Sequence, residues 1–217
     1  MAPGWYGNPT RAYGAQPTVR RSPRMAPAPT QRDGGPGVAI RTALWFVVVI
    51  WAVFFINRFF FAGTLNYFGV RPWDPQGLWG LLCAPFLHAD LAHLMANTVP
   101  AAIFTGLIAW SSRRLWFRVT IIVMIISGLG AWLTGSFGQV HIGASGLIYG
   151  WLAFLLVRGF YNRSVRQILL GIVLLFSYSG MLWGVFPTQM GVSWQMHLFG
   201  AIGGIVAAAR ISGRNRA

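Results

Sequence analysis

The chain has 217 residues, of which 55% are apolar, 15% aromatic and only 9% charged, a balance too oily for one soluble domain and suited to a polytopic membrane protein. All 17 basic residues are arginine, against three acids, Asp33, Asp74 and Asp90, and the net charge is +14. The arginines lie in short clusters between apolar stretches and form no basic face interleaved with aromatics, which argues against a nucleic-acid partner. The single cysteine, Cys83, can form no intrachain disulfide and carries no signal about redox compartment.

Residues 1–37 are rich in Pro, Gly, Ala and Arg and lack apolar periodicity. Such a segment cannot bury enough surface to offset its ordering entropy, so it reads as a disordered tail. The first apolar run begins only near Ile40 with no h-region before it, so no signal peptide is expected and the N-terminus is retained. A membrane-crossing helix needs about 20 mostly apolar residues. Six stretches qualify, at about 40–61, 91–110, 115–134, 143–160, 167–186 and 194–210. The expected fold is thus an all-α, six-transmembrane-helix bundle over residues 38–211, with a short C-terminal tail at 212–217. A loop of about 29 residues with Trp73, Trp79 and Pro85 joins the first two spans, and Asp90 stands where the second would take its N-cap.

The arginines orient this bundle. Arg11, Arg20, Arg21, Arg24, Arg32 and Arg41 precede or open the first span. Arg113, Arg114 and Arg118 mark the second-to-third turn, Arg158, Arg163 and Arg166 the fourth-to-fifth, and Arg210, Arg214 and Arg216 the end. All four groups fall on one side, with Arg58 and Arg71 opposite. The positive-inside bias puts both termini, and so both tails, in the cytoplasm, across a plasma membrane.

In that arrangement the second, fourth and sixth spans all begin at the outer face. Their starts hold His93 and Asn97, Ser145, and His197. Intramembrane polar residues are costly and usually face a protein interior or a wet cavity. Ser145 lies in Gly143-Ala144-Ser145-Gly146, where a substrate carbonyl has room to approach, although a serine among small residues also suits plain helix packing. Gly146 with Gly150 and Gly200 with Gly204 form small-xxx-small pairs that favour close contact of the fourth and sixth spans, which a Ser145–His197 hydrogen bond would require. His197 could alternatively serve a backbone carbonyl alone. With no carboxylate in the spans, a serine enzyme here would use a Ser–His dyad, its imidazole oriented by packing and by Tyr149.

His88, His93 and Asn97 follow the spacing His-x4-His-x3-Asn, and His93 and Asn97 share a helical face. As a metal set they are poor, lacking cysteine or a glutamate partner, and no metal or organic cofactor is expected. As hydrogen-bond donors His93 and Asn97 suit an oxyanion hole. His88, before the helix, reads as a structural support, and His141, two residues before Gly143, as a surface-loop histidine.

Gly-x-Ser-Gly opening a span, Tyr149 four residues after the serine, His-x3-Gly-x3-Gly in the last span and His-x4-His-x3-Asn in the second together resemble the rhomboid family over roughly residues 40–210. The resemblance implies an intramembrane serine protease that cuts transmembrane substrates near their outer ends. It implies Ser145 as nucleophile, His197 as base, and His93, Asn97 and the Ser145 backbone N–H as the oxyanion hole, with Gly143, Tyr149 and His88 in support. Trp79 is similar to the tryptophan of the family's first-loop Trp-Arg pair, but Gly80 replaces the arginine, which questions how that loop is anchored. The partners implied are single-span or polytopic membrane proteins, with lipid around the bundle; the oligomeric state is not implied. Two rivals fit parts of the pattern. An inactive client-binding relative is favoured by Gly80 and disfavoured by the intact Ser145 and His197. A small transporter is disfavoured by the missing internal repeat and by polar residues confined to one end. The Ala, Gly, Pro and all-Arg bias suggests a bacterial gene.

Overall fold

The computed structural model describes residues 33–188 and 191–212, together with Met1, Pro3 and Gly4. Most of the expected N-terminal tail and almost all of the C-terminal one lie outside the described residues, but the tail's expected last residues, Pro36 and Gly37, already belong to the first helix. Helix α1 spans Pro36–Phe60 and opens on a proline, whose fixed φ suits a first helical position that needs no N–H donor. Its entry is tied down: Gly35 N–H donates to Trp110 O at 2.7 Å, and the Asp33 carboxylate accepts from Ser112 Oγ at 2.6 Å. The start of α1 therefore sits beside the end of α3.

The long first loop is not open coil. It folds into 3₁₀ turns at Thr64–Phe68, Pro75–Trp79 and Ala84–Phe86 and a four-residue helix α2, Gly80–Cys83. Arg71 anchors it, with Nε donating to Asp74 Oδ2 at 2.8 Å and Nη1 donating to the Tyr67 carbonyl. Trp132 Nε1 donates to Asp74 O at 2.9 Å and Trp73 Nε1 to Gly135 O at 3.1 Å. Gly80 lies against the backbone of Gly69 and Val70, where any Cβ would collide. The residue that replaces an expected arginine is thus a glycine by steric demand, and the loop is anchored nine residues earlier.

Helix α3, Leu91–Ser111, begins at Asp90, whose carboxylate accepts from His93 N–H at 2.8 Å. One residue then turns the chain into α4, Arg113–Thr134: Ser112 caps it by accepting from Leu115 N–H at 3.1 Å. Helix α5, Ser145–Asn162, is buried on almost every side, with Leu147, Ile148, Trp151, Phe154 and Leu155 nearly or fully inaccessible. Trp151 fills the centre, edge-on to Phe46 at 5.2 Å and donating to Thr120 Oγ1 at 3.0 Å. Arg163, at φ 51° in the left-handed region, ends α5.

Helix α6 spans Val165–Ser177 and then breaks, bending by 74° into a 3₁₀ segment at Ser179–Val185. The stretch expected as one span at about 167–186 is thus made of two pieces set at an angle. Helix α7, Trp194–Ser212, closes the described chain. No strand occurs among the described residues, only an isolated antiparallel bridge between Val70 and His141.

By length and composition, α1, α3 and α4 can cross a membrane, and a fourth crossing is added if α6 and its bent continuation count as one. Helices α5 and α7 fall below that measure for a physical reason. They face other helices more than lipid, so glycine, tyrosine and Arg158 are accommodated by protein neighbours. The seam between them is backbone on backbone. A Cβ on Gly200 would meet Gly146 O, one on Gly204 would meet Gly150 O, and one on Gly150 would come within 2.8 Å of Gly200 O. Helix α4 joins through Ser127 Oγ, which donates to Met196 O at 2.8 Å.

Candidate active site

The first turns of α3, α5 and α7 meet at one end of the bundle. Gly143 prepares the α5 start. It holds φ at 113°, donates its N–H to Ala84 O at 2.8 Å, and leaves no room for a Cβ, which would lie 2.5 Å from His93 Nε2. Only glycine takes that conformation at low cost while letting the chain lie against an imidazole. Ser145 follows as the first residue of α5. It is half-buried, and its Oγ is 2.8 Å from Nε2 of His197.

The other ring nitrogen fixes the chemistry of that contact. His197 Nδ1 is 2.8 Å from the carbonyl oxygen of Gly184. A carbonyl can only accept, so Nδ1 carries the proton and Nε2 offers its lone pair to the serine hydroxyl. The Tyr149 ring stacks on His197 at 4.0 Å and 8°, and its hydroxyl donates to Met181 O at 2.6 Å. The 3₁₀ segment after α6 thus supplies two carbonyls, one for the imidazole and one for the ring that packs on it. Gly184 must be glycine there, because a Cβ would strike the Tyr149 hydroxyl. No side-chain pattern announces a backbone acceptor, so sequence reading passed over Gly184.

His93 packs its ring edge-to-face on His88 at 5.1 Å and lies against Gly143. Asn97, 4% exposed, donates through Nδ2 to His93 O at 2.8 Å, which leaves its second amide N–H to give. It makes no hydrogen bond to Ser145 or His197. His88 is 1% exposed, and neither ring nitrogen makes a hydrogen bond of good geometry. Burial, more than the neighbouring His93 ring, pushes its pKa down to about 4. No cluster of three or more metal-ligating side chains occurs among the described residues.

His141 is not the surface-loop residue expected. It is 5% exposed, exchanges backbone hydrogen bonds with Val70 at 2.8 and 2.9 Å, and places Nδ1 2.6 Å from Ser193 Oγ. Burial holds its pKa below the usual histidine value. Ser193 immediately precedes α7, so this bond joins the segment leading to Ser145 with the segment leading to His197. The pairing is non-local in sequence, and Ser193 carried no motif to suggest it.

Fold and site together define an all-helical membrane protein whose Ser–His pair, half-buried at the serine and buried at the histidine, is held at the meeting point of three helix starts. Comparison with known proteins agrees with that class. The rhomboid domain family model matches residues 75–214. An uncharacterised Mycobacterium tuberculosis protein is 42% identical over 95% of this chain and 90% of its own, and one from Mycobacterium leprae is 43% identical over 81% of this chain and 72% of its own. YdcA of Bacillus subtilis, which carries a provisional rhomboid-protease name, is 26% identical over 59% of this chain and 64% of its own. The chain belongs to the rhomboid family.

Proposed function

We propose that this protein is an intramembrane serine endopeptidase that cleaves transmembrane segments of other membrane proteins by a Ser145–His197 dyad. The observation that carries the reading is the 2.8 Å Oγ–Nε2 contact with the opposite nitrogen bonded to Gly184 O. In that tautomer Nε2 takes the hydroxyl proton as Oγ attacks the scissile carbonyl, and the imidazolium then returns it to the leaving amine. Water hydrolyses the acyl-enzyme by the same proton route. The steps call on no metal or organic cofactor. His93, Asn97 and the Ser145 backbone N–H are assigned to the developing oxyanion, with Gly143, Tyr149 and His88 holding them in place. A substrate helix must unwind locally, because its carbonyls are otherwise committed to intrahelical hydrogen bonds, so helix-breaking small residues are expected at the cleavage point.

The reading includes six crossings over residues 38–211, with α5, α7 and the bent α6 counted as spans, and cytoplasmic termini in the plasma membrane. The residues before α1 and after α7 are assigned as tails. Support for a common outer face at the starts of the second, fourth and sixth spans comes from the shared end of α3, α5 and α7. The deciding experiment is cleavage of a panel of single-span substrates. Wild type should cut, and Ser145→Ala and His197→Ala should each be inactive while still folded. Because the two act as one unit, the double variant should be no worse than either single one. Turnover retained by purified Ser145→Ala would overturn the dyad, whereas a wild type that neither cleaves nor reacts with a serine-directed fluorophosphonate would leave the client-binding alternative.

A further inference from the structure

At the opposite end of the bundle from Ser145, a cavity of about 350 Å³ opens between α1 and α4, lined by Val38, Arg41, Thr42, Trp45, Arg113, Trp116 and Phe117. The two helices enter the membrane region from the same end, since the start of α1 is bonded to the turn that starts α4. Their residues therefore run in the same direction from that end. On α1, Arg41, Trp45 and Val48 follow one another along one face, and on α4 Arg113, Phe117 and Ile121 do the same. All six side chains are exposed. Each stripe thus reads cation, aromatic, aliphatic with increasing depth, the polarity order of a phospholipid from headgroup to acyl chain.

The cations are available. Neither the Arg41 nor the Arg113 guanidinium donates a hydrogen bond or closes an ion pair among the described residues. The nearest acid, Asp33, is held by Ser112 Oγ, the Arg114 backbone N–H and, at 3.9 Å, the Arg114 side chain, and feels the Arg113 charge only as the weakest of these influences. Behind the opening, Trp116 is buried and meets Trp45 and Phe46 edge-on at 6.4 and 6.3 Å, which gives the cavity a firm apolar back wall.

We propose that this cleft binds one anionic phospholipid, its phosphate between Arg41 and Arg113 and one acyl chain along Trp45, Phe117 and Ile121. Two exposed guanidiniums outside any close ion pair favour a net negative headgroup over a zwitterionic one, and the apolar stripe favours a lipid over a free anion. Occupation would bridge α1 and α4, away from the Ser–His end, so the inference does not depend on the protease reading.

The test is native mass spectrometry of the full chain in detergent, titrated separately with phosphatidylglycerol and phosphatidylcholine. Wild type should retain one phosphatidylglycerol at concentrations about tenfold or more below those needed for phosphatidylcholine. Arg41→Gln and Arg113→Gln should each weaken retention about fivefold, while Arg118→Gln, which removes a charge outside the cleft, should leave it unchanged. Phe117→Ser should also weaken it. Equal retention of the two lipids by wild type, or an equal loss in Arg118→Gln, would overturn the site in favour of diffuse charge attraction. Displacement of the lipid from wild type by millimolar inorganic phosphate would overturn the lipid assignment. The two-lipid and phosphate arms use wild-type protein and do not depend on any variant folding.

Discussion

The imidazole of His197 leans on two groups of different kinds, and they can be separated. Gly184 O fixes its tautomer, while the Tyr149 ring fixes its plane. Tyr149→Phe keeps the ring and loses only the hydroxyl bond to Met181 O, so kcat should fall by no more than about fivefold, the worth of one neutral hydrogen bond. Tyr149→Ala removes the face on which the imidazole rests and should lower kcat at least tenfold with KM little changed. Equal effects of the two variants in a steady-state cleavage assay would mean that the hydroxyl, not the stack, orients the base. The oxyanion assignment has its own signature. Loss of one such donor typically costs roughly 10²–10³ in turnover, so Asn97→Ala should depress kcat far more than it raises KM. A change confined to KM in the same assay would move Asn97 into substrate binding.

Among the elements, the starts of α5 and α7 are tied by something other than the dyad. His141 and Ser193 form a bond outside it, one on each approach segment. Ser193→Ala should remove that bond and lower kcat about tenfold, whereas Ser193→Thr should restore most of it by returning the hydroxyl. A fluorophosphonate labelling rate that follows the same order, with unchanged elution on gel filtration, would mark a positioning role. Equal activity of all three proteins would show the bond to be incidental. How much of this was legible divides along physical lines. Helix starts, the Asp90 cap and the paired glycines were readable because they depend on local spacing and on residue size. The break after Ser177, the burial of His141 and the carbonyl of Gly184 were not, because each is set by tertiary contacts or by backbone atoms that every residue possesses. The substitution at Gly80 could be read as a missing anchor, but not that Arg71 takes over, since that depends on how the loop crosses itself.

For the whole molecule, charge distribution and depth make one joint expectation. Fifteen of the seventeen arginines fall on the side proposed as cytoplasmic, and Ser145 lies in the first turn of a helix starting at the other. A helix advances only about 1.5 Å per residue, so a site one turn inside the outer boundary reaches bonds near the outer end of a straight substrate helix. An N-terminal tag should be protected from protease added outside intact cells, and mass spectrometry should map the cuts to the outer half of the substrate span. An exposed tag, or cuts in the inner half, would reverse the proposed topology and its site placement together.

The glycine seam of α5 and α7 has a consequence for how tolerance to mutation is read in this protein. Gly200 and Gly204 touch the facing backbone directly, and overpacking a tight contact typically costs 1–3 kcal/mol. A library screened for growth or cleavage would therefore rank these glycines beside Ser145 as forbidden to change, and intolerance alone would inflate the apparent active site. The same library scored for the amount of protein reaching the membrane would separate them: serine and histidine variants would accumulate normally, while seam variants would be degraded.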